Sequence, residues 1–190
     1  MKLLKTVLLA MLMVTGGVQA GEWDFGVGVS YASGISDVVD LYEDNYEAEN
    51  PGDVDTYSIP VGVSFVGRYQ ASSGLMVHVG AGPAFIIVGD TDHTEIPFSA
   101  TIGYAFSPQG DSSAYARVGL VAHSVSGDYV EDSDPGTLAA IGVENGRNGG
   151  VNWGIEVSVD DSEVEFENLS EGRNETLNSY DTQLTLYFLF

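Results

Sequence analysis

The last stretch of the chain, Leu177 to Phe190, constrains the fold more than any other part of the sequence. Its residues alternate in polarity with a period of two, which is the period at which side chains of a β-strand share a face. One face holds Tyr180, Thr182, Leu184, Leu186, Phe188 and Phe190, and the other holds Ser179, Asp181, Gln183 and Thr185. The pattern predicts a strand with one apolar face and one largely polar face, with an aromatic residue at position 190.

This alternation with its terminal aromatic residue resembles the final strand of bacterial outer-membrane β-barrel proteins. In that family the barrel-assembly machinery reads the pattern during biogenesis. The resemblance therefore implies that Leu186, Phe188 and Phe190 form an assembly signal, and that the assembly machinery is a partner.

The first twenty positions are typical of a secretory signal peptide. Lys2 and Lys5 precede an apolar run from Val7 to Val14, and Val18-Gln19-Ala20 fits a cleavage site. We therefore expect a signal peptide over residues 1–20 and a barrel domain over residues 21–190. No later apolar run approaches the roughly 20 residues of a spanning helix, so any membrane crossing must use strands.

Composition excludes several classes of function. The chain has no cysteine, which excludes disulfides and thiolate metal sites. Its formal net charge is −22 and becomes −24 once Lys2 and Lys5 are removed with the signal. A surface this acidic repels phosphates, so we expect no nucleic-acid partner.

Alternating apolar residues recur along the rest of the chain and predict eight strands joined in turn by acidic loops and short turns. The predicted strands cover residues 22–32, 57–69, 75–87, 96–106, 115–123, 139–143, 151–159 and 177–190, and residues 34–55 form a long acidic loop. An even number of strands allows the first to pair with the last, which leaves no unpaired edge. The predicted fold is all-β, an eight-stranded antiparallel transmembrane β-barrel.

A soluble barrel of the lipocalin kind is the competing fold, in which the apolar face points inward. The second face of these strands is rich in Gly, Ala and Ser, which suits a narrow packed lumen better than a solvated surface. The outward aromatic residues also form two groups, typical of the girdles at two membrane interfaces. The group near the short turns is Trp23, Phe25, Phe65, Tyr69, Tyr104, Phe106, Trp153, Phe188 and Phe190, and the group near the acidic loops is Tyr31, Tyr57, Phe85, Phe98 and Tyr180. In architecture the chain thus resembles the small OmpA/OmpX-like outer-membrane barrels, which implies a location in the bacterial outer membrane.

Acidic residues are concentrated on one side of the predicted barrel. Residues 34–55, 89–95, 126–136 and 160–176 hold eight, three, four and seven of them, which is 22 of the 28 in the chain. A solvated surface explains this, and a weak Ca²⁺ or basic-ligand surface is the alternative. The loops lack the ordered spacing of a calcium loop, so we expect no defined metal or cofactor site, and the sequence names no surface ligand.

The strand parity places Asp24, Arg68, Arg117, Glu156 and Asp181 in the lumen. An eight-stranded barrel is only wide enough to be filled by its own side chains, so these charges are expected to form ion pairs. A small-solute channel, porin-like in function, is the alternative.

Enzymatic activity is not expected from the sequence. Some small outer-membrane barrels are lipid A deacylases with a His-x-Ser pair, and His123-Ser124-Val125-Ser126 is superficially similar. No serine shares the strand face of His123 at that spacing, however. The expected function is a structural or surface-interaction role in contact with outer-membrane lipid, and a lipid-modifying enzyme is the alternative.

Overall fold

The computed structural model describes residues 21–51, 56–58, 61–82, 84–88, 91–146 and 151–190, without the side chains of residues 56–58, 61 and 84–88. The predicted signal peptide, residues 1–20, lies outside the described residues. Within them, no helix has both the length and the apolar character needed to cross a membrane.

Thirteen strands and one helix make up the described part of the chain. In chain order they are β1 (Gly21–Ala32), α1 (Ile35–Glu49), β2 (Thr56–Ser58), β3 (Val61–Ala71), β4 (Leu75–Ala81), β5 (Ala84–Val88), β6 (Thr91–Ala105), β7 (Ser112–Gly127), β8 (Val130–Asp134), β9 (Gly136–Asn145), β10 (Asn152–Asp160), β11 (Glu163–Asn168), β12 (Arg173–Leu177) and β13 (Thr182–Leu189).

Eight of these strands close into an antiparallel barrel. Around the barrel the order is β1, β3, β4, β6, β7, β9, β10 and β13, and β13 pairs with β1 again. Phe190 extends this last seam, since it exchanges two backbone hydrogen bonds with Phe25, at 2.8 and 3.1 Å. The predicted eight-stranded barrel is confirmed.

The apolar face of the barrel strands points outward. Large apolar side chains are exposed on every barrel strand, among them Phe25, Ile141 at 66% and Phe190 at 67%. A soluble protein rarely exposes a continuous apolar surface of this extent, whereas a transmembrane barrel presents such a band to lipid. The orientation rules out the lipocalin-like alternative, which requires the apolar face inside.

Two predicted strands are interrupted. The strand expected over residues 57–69 consists of β2 and β3, and the one over residues 75–87 consists of β4 and β5. β4 and β5 both pair with β6 and keep the same register, from Ala81 opposite Phe98 to Ala84 opposite Glu95. The interruption therefore changes the continuity of the wall but not which residues lie opposite each other.

The predicted acidic loop over residues 34–55 contains a helix, so its assignment as irregular structure is wrong. One face of α1 is buried, with Ile35, Val38, Val39, Leu41, Tyr42 and Asn45. This face packs on a small sheet in the order β12, β11, β8, where Val164 and Phe166 are fully covered. We call α1 and this sheet the cap, because they form one apolar core at the acidic-loop end of the barrel.

The final strand begins later than its alternation suggests. β13 starts at Thr182, and residues 179 and 180 form a turn. Tyr180 is consequently buried in the cap core at 4% exposure and does not belong to the outer girdle. Asp181 is exposed, so its assignment to the lumen is also wrong. Both errors arise because the turn interrupts the period of two.

Candidate functional site

The half of the lumen nearer the short turns is crossed by a buried polar network that we call the plug. Its members are Asp24, Arg68, Thr101, Tyr115, Arg117, Glu144, Glu156 and Tyr187. Since charges removed from water are stable only when paired and hydrogen-bonded, the partners of the two arginines decide whether this lumen is filled or open.

Arg68 spans the barrel from one wall to the other. Its guanidinium donates to Asp24 on the neighbouring strand, at 2.5 Å from Nη2 to Oδ2, and to Glu144 on β9. Three barrel strands separate β3 from β9 in either direction, so the two strands are opposite walls. Arg68 is 1% exposed and Glu144 is 4% exposed. This buried ion pair therefore crosses the lumen between opposite walls.

Arg117 forms the second pair of the plug. Its Nε and Nη2 donate to the two oxygens of Glu156 at 2.7 and 2.6 Å, which is a bidentate contact, and its Nη1 donates to Thr101 at 2.9 Å. Bidentate charge-assisted hydrogen bonds are among the strongest in proteins. The structure thus brings together two pairs of the sequence-predicted lumen residues, Asp24 with Arg68 and Arg117 with Glu156.

Two tyrosines join the ion pairs. The Tyr115 hydroxyl donates to Glu156 at 2.7 Å, and the Tyr187 hydroxyl lies 3.1 Å from Tyr115 and 3.0 Å from Glu144. Both rings need space that only glycine leaves, because a Cβ at Gly142 would overlap the Tyr115 ring and one at Gly154 would overlap the Tyr187 ring. The small residues predicted on the inner face therefore make room for the plug.

A second polar cluster lies at the opposite end of the lumen, beneath the cap, and we call it the rim cluster. It consists of Tyr42, His93, Glu95, His123, Asp160 and Ser162. Every one of these side chains except that of Asp160 is buried. The cluster joins strands that are distant in sequence, since it includes β6, β7 and the segment between β10 and β11.

Glu95 occupies the centre of the rim cluster. One of its oxygens contacts His123 Nδ1, and the other lies 3.3 Å from His93 Nε2. On its other side His93 is held by the Tyr42 hydroxyl, 3.3 Å from Nδ1. Burial raises the pKa of Tyr42 above its usual range, so its hydroxyl stays neutral. Through Tyr42, α1 thereby holds the His93 ring in the orientation that contacts Glu95.

Ser162 completes this chain of contacts. Its hydroxyl oxygen lies 2.9 Å from His123 Nε2 and 2.6 Å from Asp160 Oδ1. Because the hydroxyl has one proton, it donates to either His123 or Asp160 at a given moment. The contacts thus run from the Ser162 hydroxyl through the His123 imidazole to the Glu95 carboxylate.

One cavity extends along the lumen between the plug and the rim cluster. Its volume is about 70 Å³, and its lining includes Arg117 and Glu156 at one end and Asp160 and Tyr180 at the other. Two buried polar atoms in this lining, His78 Nδ1 and the Tyr180 hydroxyl, have no hydrogen-bond partner among the described residues. A cavity of this size accommodates a few water molecules or a small polar group.

The cap carries much of the negative charge. On α1 the residues Asp37, Asp40 and Asp44 are exposed, and on β11 Glu163 and Glu167 are exposed. At the base of the cap, hydrogen bonds from the backbone and side chain of Thr137 lower the pKa of Asp161. No group of three or more histidine or acidic side chains is arranged as a metal site in the described part of the chain, and weak Ca²⁺ binding at the acidic loops remains a prediction.

The predicted assembly residues lie on the outward face of the last seam. Leu186, Phe188 and Phe190 are all exposed on the barrel exterior. Their backbones pair with β1, with Leu186 opposite Val29, Phe188 opposite Val27 and Phe190 hydrogen-bonded to Phe25. These placements leave the role in assembly as a prediction.

No protein-family model matches the chain, and no curated protein sequence matches it. Solved structures do. The chain resembles the outer membrane protein OprG from Pseudomonas aeruginosa with a TM-score of 0.58 at 11% identity, covering 91% of this chain and 96% of that one. This is the fold of the small outer-membrane β-barrels.

Two further structures of this fold cover similar shares of the chain. Neisserial surface protein A matches with a TM-score of 0.52 at 14% identity, covering 90% of this chain and 98% of that one. The outer membrane protein AlkL matches with a TM-score of 0.52 at 13% identity, covering 92% of each chain.

Several site residues could not be found from the sequence. Glu144 lies just beyond the predicted strand over residues 139–143, but it belongs to β9 and joins the plug. The sequence pattern indicates no role for Tyr115, which donates to Glu156 in the plug. Ser162 lies 39 positions from His123, whereas only Ser124 and Ser126 on the same strand were considered as its partners. Strand parity shows whether a side chain points into the lumen or outward. It does not show which residues on other strands lie at the same height in the barrel.

Proposed function

We propose that this chain is a bacterial outer-membrane barrel whose lumen is filled and whose cap is displayed at the cell surface, with a structural or surface-interaction role. The observation that carries the proposal is the plug, and above all the Arg68–Glu144 pair between opposite walls. A porin keeps a water-filled lumen. Here the charged side chains of the lumen form ion pairs with one another.

The exterior of the barrel supports a location in the outer membrane. Its apolar belt is exposed all around the wall, and outer-membrane lipid is the partner that such a belt needs. The similarity in fold to OprG and Neisserial surface protein A agrees with this location.

The cap supports a role at the surface. It has its own apolar core, with Val38, Tyr42 and Phe166 at 0% exposure. Side-chain hydrogen bonds hold its parts together, because Asn45 donates to the Glu167 carbonyl at 2.6 Å and accepts from the Leu169 backbone at 2.7 Å. A folded acidic surface of this kind favours contact with basic partners and discourages contact with acidic ones.

Conductance measurements test the filled lumen. Wild-type protein in a planar lipid bilayer should show no discrete current steps. The Arg68→Ala/Glu144→Ala variant removes the ion pair between opposite walls and should produce small, flickering currents. Stable steps from the wild-type protein would show that the lumen conducts, and the channel alternative would replace this proposal.

Epitope insertion tests the orientation. Gly172 lies in the β11–β12 turn with a φ of 66°, and no atom of the described residues lies within 4 Å of the position of an added Cβ. An epitope inserted there should bind antibody on intact cells. The matched control is an epitope in the short turn near Gly110, which should bind only after permeabilisation. The reverse pattern would place the cap in the periplasm and contradict surface display.

A further inference from the structure

The rim cluster contains the three groups of a nucleophilic site in the order that nucleophilic catalysis requires. A serine hydroxyl acts as a nucleophile when an imidazole accepts its proton and a carboxylate orients that imidazole. Ser162 Oγ lies 2.9 Å from His123 Nε2, and Glu95 contacts Nδ1 of the same ring. The 2.9 Å separation lies within the reach that a general base needs.

The orienting carboxylate is itself held firmly. Glu95 is 2% exposed and is also contacted by His93, which Tyr42 of α1 holds from the other side. A carboxylate at Nδ1 keeps the proton on that nitrogen and leaves Nε2 free to accept the serine proton. His123 is therefore fixed in orientation and tautomer toward Ser162.

All six side chains of the rim cluster have hydrogen-bond partners, but a buried polar group next to the cluster has none within the residues that the structure describes. The Tyr180 ring packs edge-on against His123 with 5.1 Å between ring centroids. Its hydroxyl is buried without a hydrogen-bond partner among the described residues and lines the lumen cavity. A buried donor without a partner is destabilising. A free donor on the side chain that packs against His123 is the kind of group that stabilises an oxyanion.

We propose that Ser162, His123 and Tyr180 form a hydrolytic site for small carboxylic esters, with Glu95 as the positioning residue. The lumen cavity comes nearest to this site at Asp160, which is hydrogen-bonded to Ser162, and at Tyr180, which packs on His123. The acyl group therefore has to reach the buried Ser162 from that end of the cavity. The cavity volume of about 70 Å³ and its unpaired polar atoms favour a short acyl group, such as acetyl, over a long lipid chain.

The reaction follows from the geometry. Ser162 Oγ attacks the carbonyl carbon of the ester while its proton passes to His123 Nε2, and the Tyr180 hydroxyl donates to the oxyanion that forms. The bond to the alcohol oxygen then breaks, and that oxygen takes the proton from His123. Water attacks the acyl-serine, passes its proton through His123 back to Ser162 Oγ, and releases the carboxylic acid. Asp160 competes for the serine proton in the resting state.

Ester hydrolysis by folded protein in detergent micelles tests this site, with p-nitrophenyl acetate as substrate and a fluorophosphonate as covalent probe. Wild-type protein should hydrolyse the ester, and peptide mapping should find the probe on Ser162. Ser162→Ala should abolish both. The matched control is Ser124→Ala, which removes an exposed serine next to His123 in sequence and should leave both unchanged.

Tyr180→Phe distinguishes catalysis from a structural role. It retains the ring packed on His123 and removes a hydroxyl that has no hydrogen-bond partner in the described part of the chain, so the thermal stability should not fall. If the hydroxyl stabilises the oxyanion, kcat should fall about 10²-fold or more with little change in KM. Wild-type hydrolysis no faster than that of Ser162→Ala, together with no probe on Ser162, would overturn the proposal and leave the rim cluster as a structural network.

Discussion

Arg117 and Glu156 illustrate how a single pair of residues sets the interior of this barrel. Both are buried, and the two hydrogen bonds between them leave neither carboxylate oxygen without a donor. Such a pair contributes little net stability compared with an apolar pair, but breaking it leaves one charge alone in a medium of low dielectric constant.

Removing either partner should therefore be costly. We expect Arg117→Ala and Glu156→Ala each to lower the free energy of unfolding by about 3–5 kcal/mol. The double variant should lose clearly less than the sum, because no uncompensated charge remains. Urea unfolding of the four proteins in one micelle system measures the coupling energy, and strictly additive losses would contradict the pairing.

Phe190 is expected to act in assembly more than in stability. Its side chain is 67% exposed on the barrel exterior, so deleting the residue removes few protein contacts apart from two backbone hydrogen bonds to Phe25. The deletion variant should insert poorly into the outer membrane of cells while the purified protein refolds in detergent nearly as well as wild type. Cell fractionation and gel mobility measure the two properties, and normal insertion in cells would refute the assembly role.

The barrel strands were predictable because alternate side chains along each strand face different surroundings. Lipid outside and a narrow lumen inside give a period of two that is visible in the sequence, as from Trp153 to Val159 on β10. α1 was not recognised because its many acidic residues indicated a solvated loop. The spacing of its apolar residues is nevertheless that of one helix face, at Ile35, Val38, Val39 and Tyr42. That spacing could have identified the helix.

Charge on the buried face of α1 should release the cap from the barrel. Val38 has 0% exposure, so Val38→Asp places an unpaired carboxylate in the cap core at a cost of several kcal/mol. Ala48→Asp adds the same charge at an exposed position of the same helix and should be almost neutral. Limited proteolysis should cleave the cap of the first variant rapidly and leave its barrel intact. Equal cleavage of both variants would show that the helix face is not a core.

Acidic side chains alternate along β11 of the β11–β12 hairpin. Glu163 and Glu167 are exposed, and Glu165 between them accepts a hydrogen bond from Asn174 at 3.0 Å. Like charges on one strand face repel unless they are screened or bridged. Calcium at millimolar concentration should slow proteolysis of residues 160–176 more than sodium does at matched ionic strength. Equal effects of the two salts would indicate screening alone.

The whole molecule consists of two cores with different sources of stability. The barrel is held by a closed set of backbone hydrogen bonds that lipid makes costly to break. The cap depends on a small apolar core between α1 and the three short strands, and small cores are only marginally stable.

Denaturant should therefore unfold the cap before the barrel. Both tryptophans of the chain, Trp23 and Trp153, lie in the girdle near the short turns, so tryptophan fluorescence reports on the barrel alone. Hydrogen exchange of α1 amides reports on the cap. In urea the α1 amides should lose protection at a lower concentration than that at which the fluorescence changes. A single shared midpoint would mean that the cap and barrel unfold as one unit.

The ion pair between Arg68 and Glu144 also has a mechanical consequence. A closed ring of strands in a bilayer is compressed from the sides and can flatten into an ellipse by small changes in the angle between neighbouring strands. A strut between β3 and β9 resists flattening along one diameter, because the walls cannot move apart without breaking a buried ion pair or approach without displacing the tyrosines beside it. The cross-section of this barrel is therefore stiffer along the diameter from β3 to β9 than along other diameters, at the depth of the membrane where the plug lies.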